Sequence, residues 1–285
     1  MKRVALLLGV ALLLGYGAAL AGLWAKQDAL IFPARVNPLP DTPNPQADDY
    51  LVLNLTLPDG TLQQVVQSPR RVPPSPTLVV AFGGNAHDVG GMVRWLHRHV
   101  WPRHTLVIGA PYRGYPSAFT QPQPGRPSQA AVLADATHLT RWAQTTFKPH
   151  QTVIVGYSLG SSVAAHTALT APVSATVLIT PFTSMAALAT AEYPWLLTPV
   201  VHLLLRHPFP TQRWLQQGTT PVVLLGAGRD GLIPPSQLPK LAAAAPGRMA
   251  LQQVLPTATH GGVLDDPALP ALLQRAMAAL TLPVQ

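Results

Sequence analysis

A serine set between glycines, Gly156-Tyr157-Ser158-Leu159-Gly160, is where the residue types and spacing of this 285-residue chain point to nucleophilic chemistry. Chance supplies such a pentapeptide often enough that only its surroundings give it meaning. Val153-Ile154-Val155 before it suits a short strand, and Ser161-Ser162-Val163-Ala164-Ala165-His166 after it opens a helix with small residues. A sharp strand-to-helix turn holds the serine in a strained conformation, and neighbours without side chains let the backbones pass closely. The hydroxyl then needs a base to take its proton and an acid to orient that base.

Turns of this kind recruit the acid before the histidine along the chain. The carboxylates after Ser158 are Glu192, Asp230, Asp265 and Asp266, and the last two follow the final histidine. Glu192 falls in an irregular stretch, whereas Asp230 follows the apolar run Pro221 to Leu225 through Gly226-Ala227-Gly228-Arg229, at the carboxyl edge where such sites assemble. Of His166, His202, His207 and His260, only His260 comes after Asp230, in the loop Thr259-His260-Gly261-Gly262. Ser158, Asp230 and His260 are therefore the expected nucleophile, acid and base.

Attack by a serine leaves charge on the carbonyl oxygen, which preorganised backbone N–H groups must receive. One is expected from Leu159, directly after the nucleophile, and the other from the loop Phe82-Gly83-Gly84-Asn85-Ala86, with Asn85 ahead of Gly84 as donor. Two further signals are set aside. Gly226-Ala227-Gly228-Arg229-Asp230-Gly231 has dinucleotide-fingerprint spacing, but Leu232-Ile233-Pro234-Pro235 cannot open the phosphate-facing helix, so no cofactor is expected. His97 and His99, with His87, Asp88 and His104 near by, suggest a metal site only until their spacing is considered. On a helix, residues two apart point to different faces, so solvated histidines and no metal are expected.

The elements that must hold these residues are read from the apolar pattern. Residues 51–57 and 62–66 alternate around Pro58-Asp59-Gly60, as a hairpin does. Short apolar runs follow at 78–82, 106–108, 152–155, 175–179 and 222–225, with helix-length segments near 89–99, 128–146, 160–170 and 267–280. That alternation predicts a mostly parallel sheet covered by helices on both faces, an α/β-hydrolase fold in one domain over residues 50–285. Residues 183–218 break the alternation and are expected as a small helical cap over the site.

Lys2 and Arg3 precede the uncharged stretch Val4 to Ala25, long enough as a helix to cross a bilayer. Residues 1–26 are read as a membrane anchor, with Ala19-Leu20-Ala21 offering signal cleavage as the alternative. Either way the basic flank stays inside and the remainder lies on the periplasmic or extracytoplasmic side, anchored or secreted. Residues 27–49, with Pro33, Pro38, Pro40, Pro43 and Pro45, read as an extended connector. The net charge of +8 comes from scattered basic residues, which disfavours nucleic acid as a partner and suits an anionic membrane surface. With no cysteine, disulfides and thiolate catalysis are excluded.

Taken in order, Gln27-Asp28-Ala29-Leu30-Ile31-Phe32-Pro33, Phe82 to Ala86, Pro111-Tyr112-Arg113-Gly114-Tyr115-Pro116-Ser117, Gly156 to Ser162, Pro181-Phe182-Thr183-Ser184-Met185, Gly228 to Pro234 and His260 resemble the membrane-anchored α/β-hydrolases similar to Bem46 and the mammalian ABHD type. The chain departs from that pattern at Gly83, where the family usually has histidine, and at Pro116, where it often has glycine. The resemblance implies hydrolysis of carboxylic esters, thioesters or acylglycerols, with small-molecule or lipid esters as substrates. Some relatives are classed with serine peptidases, so amide hydrolysis is the alternative; a silent binding scaffold fits poorly with intact Ser158, Asp230 and His260.

Overall fold

The computed structural model describes residues 2–33, 50–69, 77–100, 105–117, 120 and 123–280. The proline-rich stretch from Pro38 to Pro45 and His104 lie outside them. The chain opens with α1 (Lys2–Ile31), then β1 (Leu51–Thr56) and β2 (Leu62–Gln67) as an antiparallel hairpin. Next come β3 (Thr77–Phe82), α2 (Val89–Trp95) running into one π-helical turn, β4 (Thr105–Gly109), α3 (Gln129–Phe147), β5 (Gln151–Tyr157), α4 (Leu159–Thr170) and β6 (Ala175–Ile179). Three short helices follow, α5 (Met185–Glu192), α6 (Thr198–Leu204) and α7 (Thr211–Gln217), and then β7 (Val222–Ala227), α8 (Gln237–Ala243), β8 (Met249–Leu255) and α9 (Leu269–Leu280).

The eight strands lie in the order β1-β2-β4-β3-β5-β6-β7-β8, parallel from β4 to β8. Residue alternation along each strand divides the core in two. Leu78, Val80 and Phe82 of β3 face one layer, with Val132 and Leu139 of α3 and Val163 of α4. Val79 and Ala81 face the other, with Met92 and Val93 of α2 and Leu269 and Leu273 of α9. A strand buried on both faces must be apolar throughout, which is why these runs read as continuous.

Two elements escape the apolar pattern. Strand β8 is an edge strand with Gln252 and Gln253 exposed, so it lacks the unbroken run of its neighbours. Helix α8, seven residues, is too short to show a helical period. The stretch 183–218 contains α5, α6 and α7, helical as expected.

The N-terminal helix differs from the expectation. It continues past Lys26 to Ile31, so Gln27 to Ile31 are helical rather than the start of an extended connector. Polar contacts explain the extra turns. Gln27 donates to the Leu204 carbonyl at 3.0 Å and accepts from the Arg206 N–H at 2.8 Å, while Asp28 pairs with His207 Nε2 at 2.9 Å. Ile31 and Phe32 are then drawn into the core. The helix's first half is the opposite: Leu6, Leu12 and Leu14 are each more than 65% exposed. A helix apolar all round and unpacked in protein is suited to lipid; among the described residues, α1 is the helix long and apolar enough to cross a membrane.

The loop after β4 is fixed by Arg113, whose guanidinium grips both oxygens of buried Asp135 on α3, at 2.6 and 2.8 Å, and reaches the exposed Asp59 of the hairpin turn at 2.5 Å. Removing the buried carboxylate leaves Arg113 paired only with the exposed Asp59, and surface pairs contribute little. Asp135→Ala is expected to lower stability by about 3 kcal/mol, and Asp59→Ala to change it little, as read from urea-denaturation midpoints.

Candidate active site

Ser158 occupies the turn between β5 and α4 with φ 53° and ψ −117°, a region that side chains rarely adopt. The flanking glycines make that turn possible. A Cβ on Gly156 would stand 2.1 Å from the Gly160 carbonyl oxygen, and one on Gly160 would stand 2.0 Å from that of Phe82. The start of α4 is thus pressed between the ends of β5 and β3, and no larger residue fits at either glycine.

His260, in the loop before α9, points its Nε2 at Ser158 Oγ, 2.9 Å away, and its Nδ1 at Asp230 Oδ2, 2.8 Å away. The other oxygen of Asp230 accepts from the N–H groups of Leu232 (2.9 Å) and Ile233 (2.7 Å). The Asp230 side chain is 1% exposed, and these three donors satisfy its two oxygens. That carboxylate fixes the His260 tautomer with Nδ1 protonated, leaving Nε2 to accept from the serine. The three residues singled out from the sequence are therefore joined by hydrogen bonds in series.

Leu159 begins α4, so its N–H finds no partner inside the helix. Asn85 lines the same cavity as Ser158 and Leu159. Gly84 lies behind it, where a Cβ would meet the Tyr157 ring at 3.1 Å and Ser158 Cβ at 3.3 Å, so its lack of a side chain lets the loop approach the turn. The Tyr112 hydroxyl donates to the Gly83 carbonyl at 2.8 Å, and Asp88, which caps α2, accepts from the Ser117 hydroxyl at 2.6 Å. These contacts hold both ends of the loop carrying Asn85.

The remaining candidates lie elsewhere. Glu192 lines the cavity from α5. His207 joins α1 to the start of α3, and His166 packs against Trp214. His97 bonds to the Tyr50 hydroxyl at 3.3 Å, and among the described residues no His, Asp and Glu cluster is suited to a metal.

Several contributors were not legible in the sequence. Tyr157, inside the motif itself, donates its hydroxyl to the His260 carbonyl at 2.7 Å and so helps to position that histidine. Burial pushes that hydroxyl above its ordinary pKa, so it remains a donor. His87, expected to be solvated, is packed edge-on to Tyr157 with ring centres 4.5 Å apart. Burial, and to a smaller degree the nearness of His260, lowers its pKa from 6.5 to about 4. The cavity, about 360 Å³, is walled by Leu20, Leu23 and Trp24 of α1 as well as by the cap. The available signal was Gln27 and Asp28, polar residues that follow directly on the apolar stretch.

A sheet of this order, with a strained serine after β5, defines the α/β-hydrolase fold. The chain is similar to the esterase Pf2001 of Pyrococcus furiosus, with 13% identity, a TM-score of 0.65, and coverage of 87% of this chain and 97% of that one. It is also similar to XC6422 of Xanthomonas campestris, an α/β serine hydrolase without a lid, at 15% identity and a TM-score of 0.59, covering 83% and 97%. No protein-family model matches the chain. The chain belongs to the family of the uncharacterized proteins Rv2307c and MT2364 of Mycobacterium tuberculosis, with 31% identity to each over 227 residues, 78% of this chain and 76% of theirs.

Because His87 is neutral in the fold and its pKa is depressed, its contribution is complete above about pH 6.5 and is lost as pH falls toward 4. Urea denaturation at pH 7 and pH 5 is expected to show a loss of about 2 kcal/mol attributable to this residue. In His87→Phe, which keeps the ring against Tyr157, that part of the loss disappears.

Proposed function

We propose that the protein is a serine hydrolase that cleaves carboxylic ester, thioester or acylglycerol bonds through Ser158, His260 and Asp230. The observation that carries this reading is the series of bonds Asp230–His260–Ser158, at 2.8 and 2.9 Å, at a mainly apolar cavity. In it, Ser158 Oγ attacks the acyl carbon and its proton passes to His260 Nε2. Charge on the carbonyl oxygen is received by the N–H groups of Leu159 and Asn85. Collapse breaks the bond to the leaving alcohol or thiol, which takes the proton from His260, and the acyl group stays on Ser158. Water, losing a proton to His260, attacks the acyl-enzyme; the acid departs and the serine regains its proton. Asp230 remains ionised and stabilises the imidazolium formed in each half-reaction.

The ordered resemblance from Gln27 to His260 supports placement among Bem46-like hydrolases. The N-terminal helix, with basic Lys2 and Arg3 on one side, supports a single-pass protein whose remaining domain is extracytoplasmic. The packing of α1 against α5 and α6 favours retention of that helix over its removal as a signal.

A fluorophosphonate probe is expected to label the full-length protein, and Ser158→Ala to abolish labelling and lower p-nitrophenyl butyrate turnover by at least about 10³-fold. Labelling that persists in Ser158→Ala would overturn the assignment.

A further inference from the structure

We infer that α1 is part of the substrate site, and that the cap segment from Tyr193 to Leu204 lies in the extracytoplasmic leaflet, so that the acyl chain of a membrane ester lipid reaches Ser158 between α1 and the cap without crossing water. The chemistry rests on the hydrolase reading above; the placement of the cap does not.

The argument begins with length. From Val4 to Gly15, α1 is exposed apart from half-buried Gly9, and those residues rise about 18 Å against roughly 30 Å of hydrocarbon. The missing 12 Å or so corresponds to the next two turns, Tyr16 to Leu23. Those turns are packed on the cap. The Leu197 N–H meets the Tyr16 hydroxyl at 3.4 Å, the Tyr16 and Trp195 rings meet edge to face at 5.9 Å, and Leu20 and Leu23 pack with Leu196 and Val201. A helix anchored at Lys2 and Arg3 cannot span the bilayer unless these turns, and the cap elements seated on them, are also in hydrocarbon. Tilting the helix only lengthens the requirement.

Much of the outer surface of the cap suits this placement, with His202 the exposed titratable side chain inside the segment and Glu192 just before it. Trp195 is 46%, Leu197 60% and Leu203 83% exposed, an apolar surface that is costly in water and favourable in lipid. At the level where the helix leaves hydrocarbon stand Lys26 and Arg206, the latter with its guanidinium 4.9 Å from the Trp24 ring centre and hydrogen-bonded to the Trp24 carbonyl. Aromatic rings with basic side chains above them mark a headgroup boundary. The cavity joins the two regions: Ser158 and Asn85 line one part, and Leu20 and Leu23, which the length argument puts at bilayer depth, line another.

The chain has no cysteine, so Leu203→Cys provides a single labelling site. A nitroxide on that residue, in full-length protein reconstituted into phosphatidylcholine vesicles, is expected to collide readily with oxygen and poorly with a water-soluble nickel chelate. Ready collision with the chelate would place the cap in water and overturn the inference, whatever Ser158 does. In the same vesicles, Leu23→Trp, which narrows the cavity from the α1 side, is expected to lower the ratio of long-acyl to butyryl ester kcat/KM at least tenfold. An unchanged ratio in a protein that still takes the fluorophosphonate probe would remove α1 from the substrate site while leaving the hydrolase reading intact. Loss of probe labelling in the unsubstituted protein would instead end that reading, with the nitroxide still deciding where the cap lies.

Discussion

The contact between Gly160 and the end of β3 sets the rest of the site. Because the first turn of α4 lies against the Phe82 carbonyl, the chain leaving β5 must reverse within one residue, and that residue takes a positive φ. The serine is thereby held out at the edge of the sheet, and the free N–H groups of α4 face the space in front of it. The strain is borne by its surroundings: β5 is buried and paired on both sides, by β3 and β6, and the Ser158 N–H bonds the Ile179 carbonyl at 2.9 Å. A strained residue persists only where its neighbours overdetermine it, and here they are among the most buried in the molecule.

Around that fixed point the other groups are positioned by different means. Asp230 is held by backbone N–H groups of its own loop, a local device that does not depend on distant packing. His260 is held from both ends, by Asp230 through its ring and by the Tyr157 hydroxyl through its carbonyl. Tyr157 and Ser158 are adjacent, so one turn of backbone presents the hydroxyl and also steadies the histidine that faces it.

The sequence was informative wherever one physical pattern dominated. Continuous apolar runs such as Val222–Leu225 had to be doubly buried strands, and the few carboxylates and histidines after Ser158 narrowed its partners by order alone. It was less informative where contact is made by residues distant in sequence. Tyr157 carried no signal of its role, because nothing local shows that its hydroxyl meets a carbonyl about a hundred residues away. His87 was grouped with His97 and His99, whose spacing on a helix disfavours a metal, which says nothing about the burial of His87. Strand β8 was missed because an edge strand need not be apolar, and the end of α1 because Gln27 and Asp28 gain their helical conformation from Leu204, Arg206 and His207.

The way α1 is joined to the rest of the chain also bears on how variation in it would be interpreted. Apolar N-terminal helices are commonly treated as exchangeable, since any stretch of suitable length and hydropathy can reach a membrane. In this protein Leu20, Leu23 and Trp24 are wall residues of the cavity that holds Ser158, and Gln27 is bonded to the chain that follows α6. A replacement helix of equal hydropathy would still remodel the pocket. On the proposed function, divergence among relatives in their first thirty residues would record differences in what the site admits.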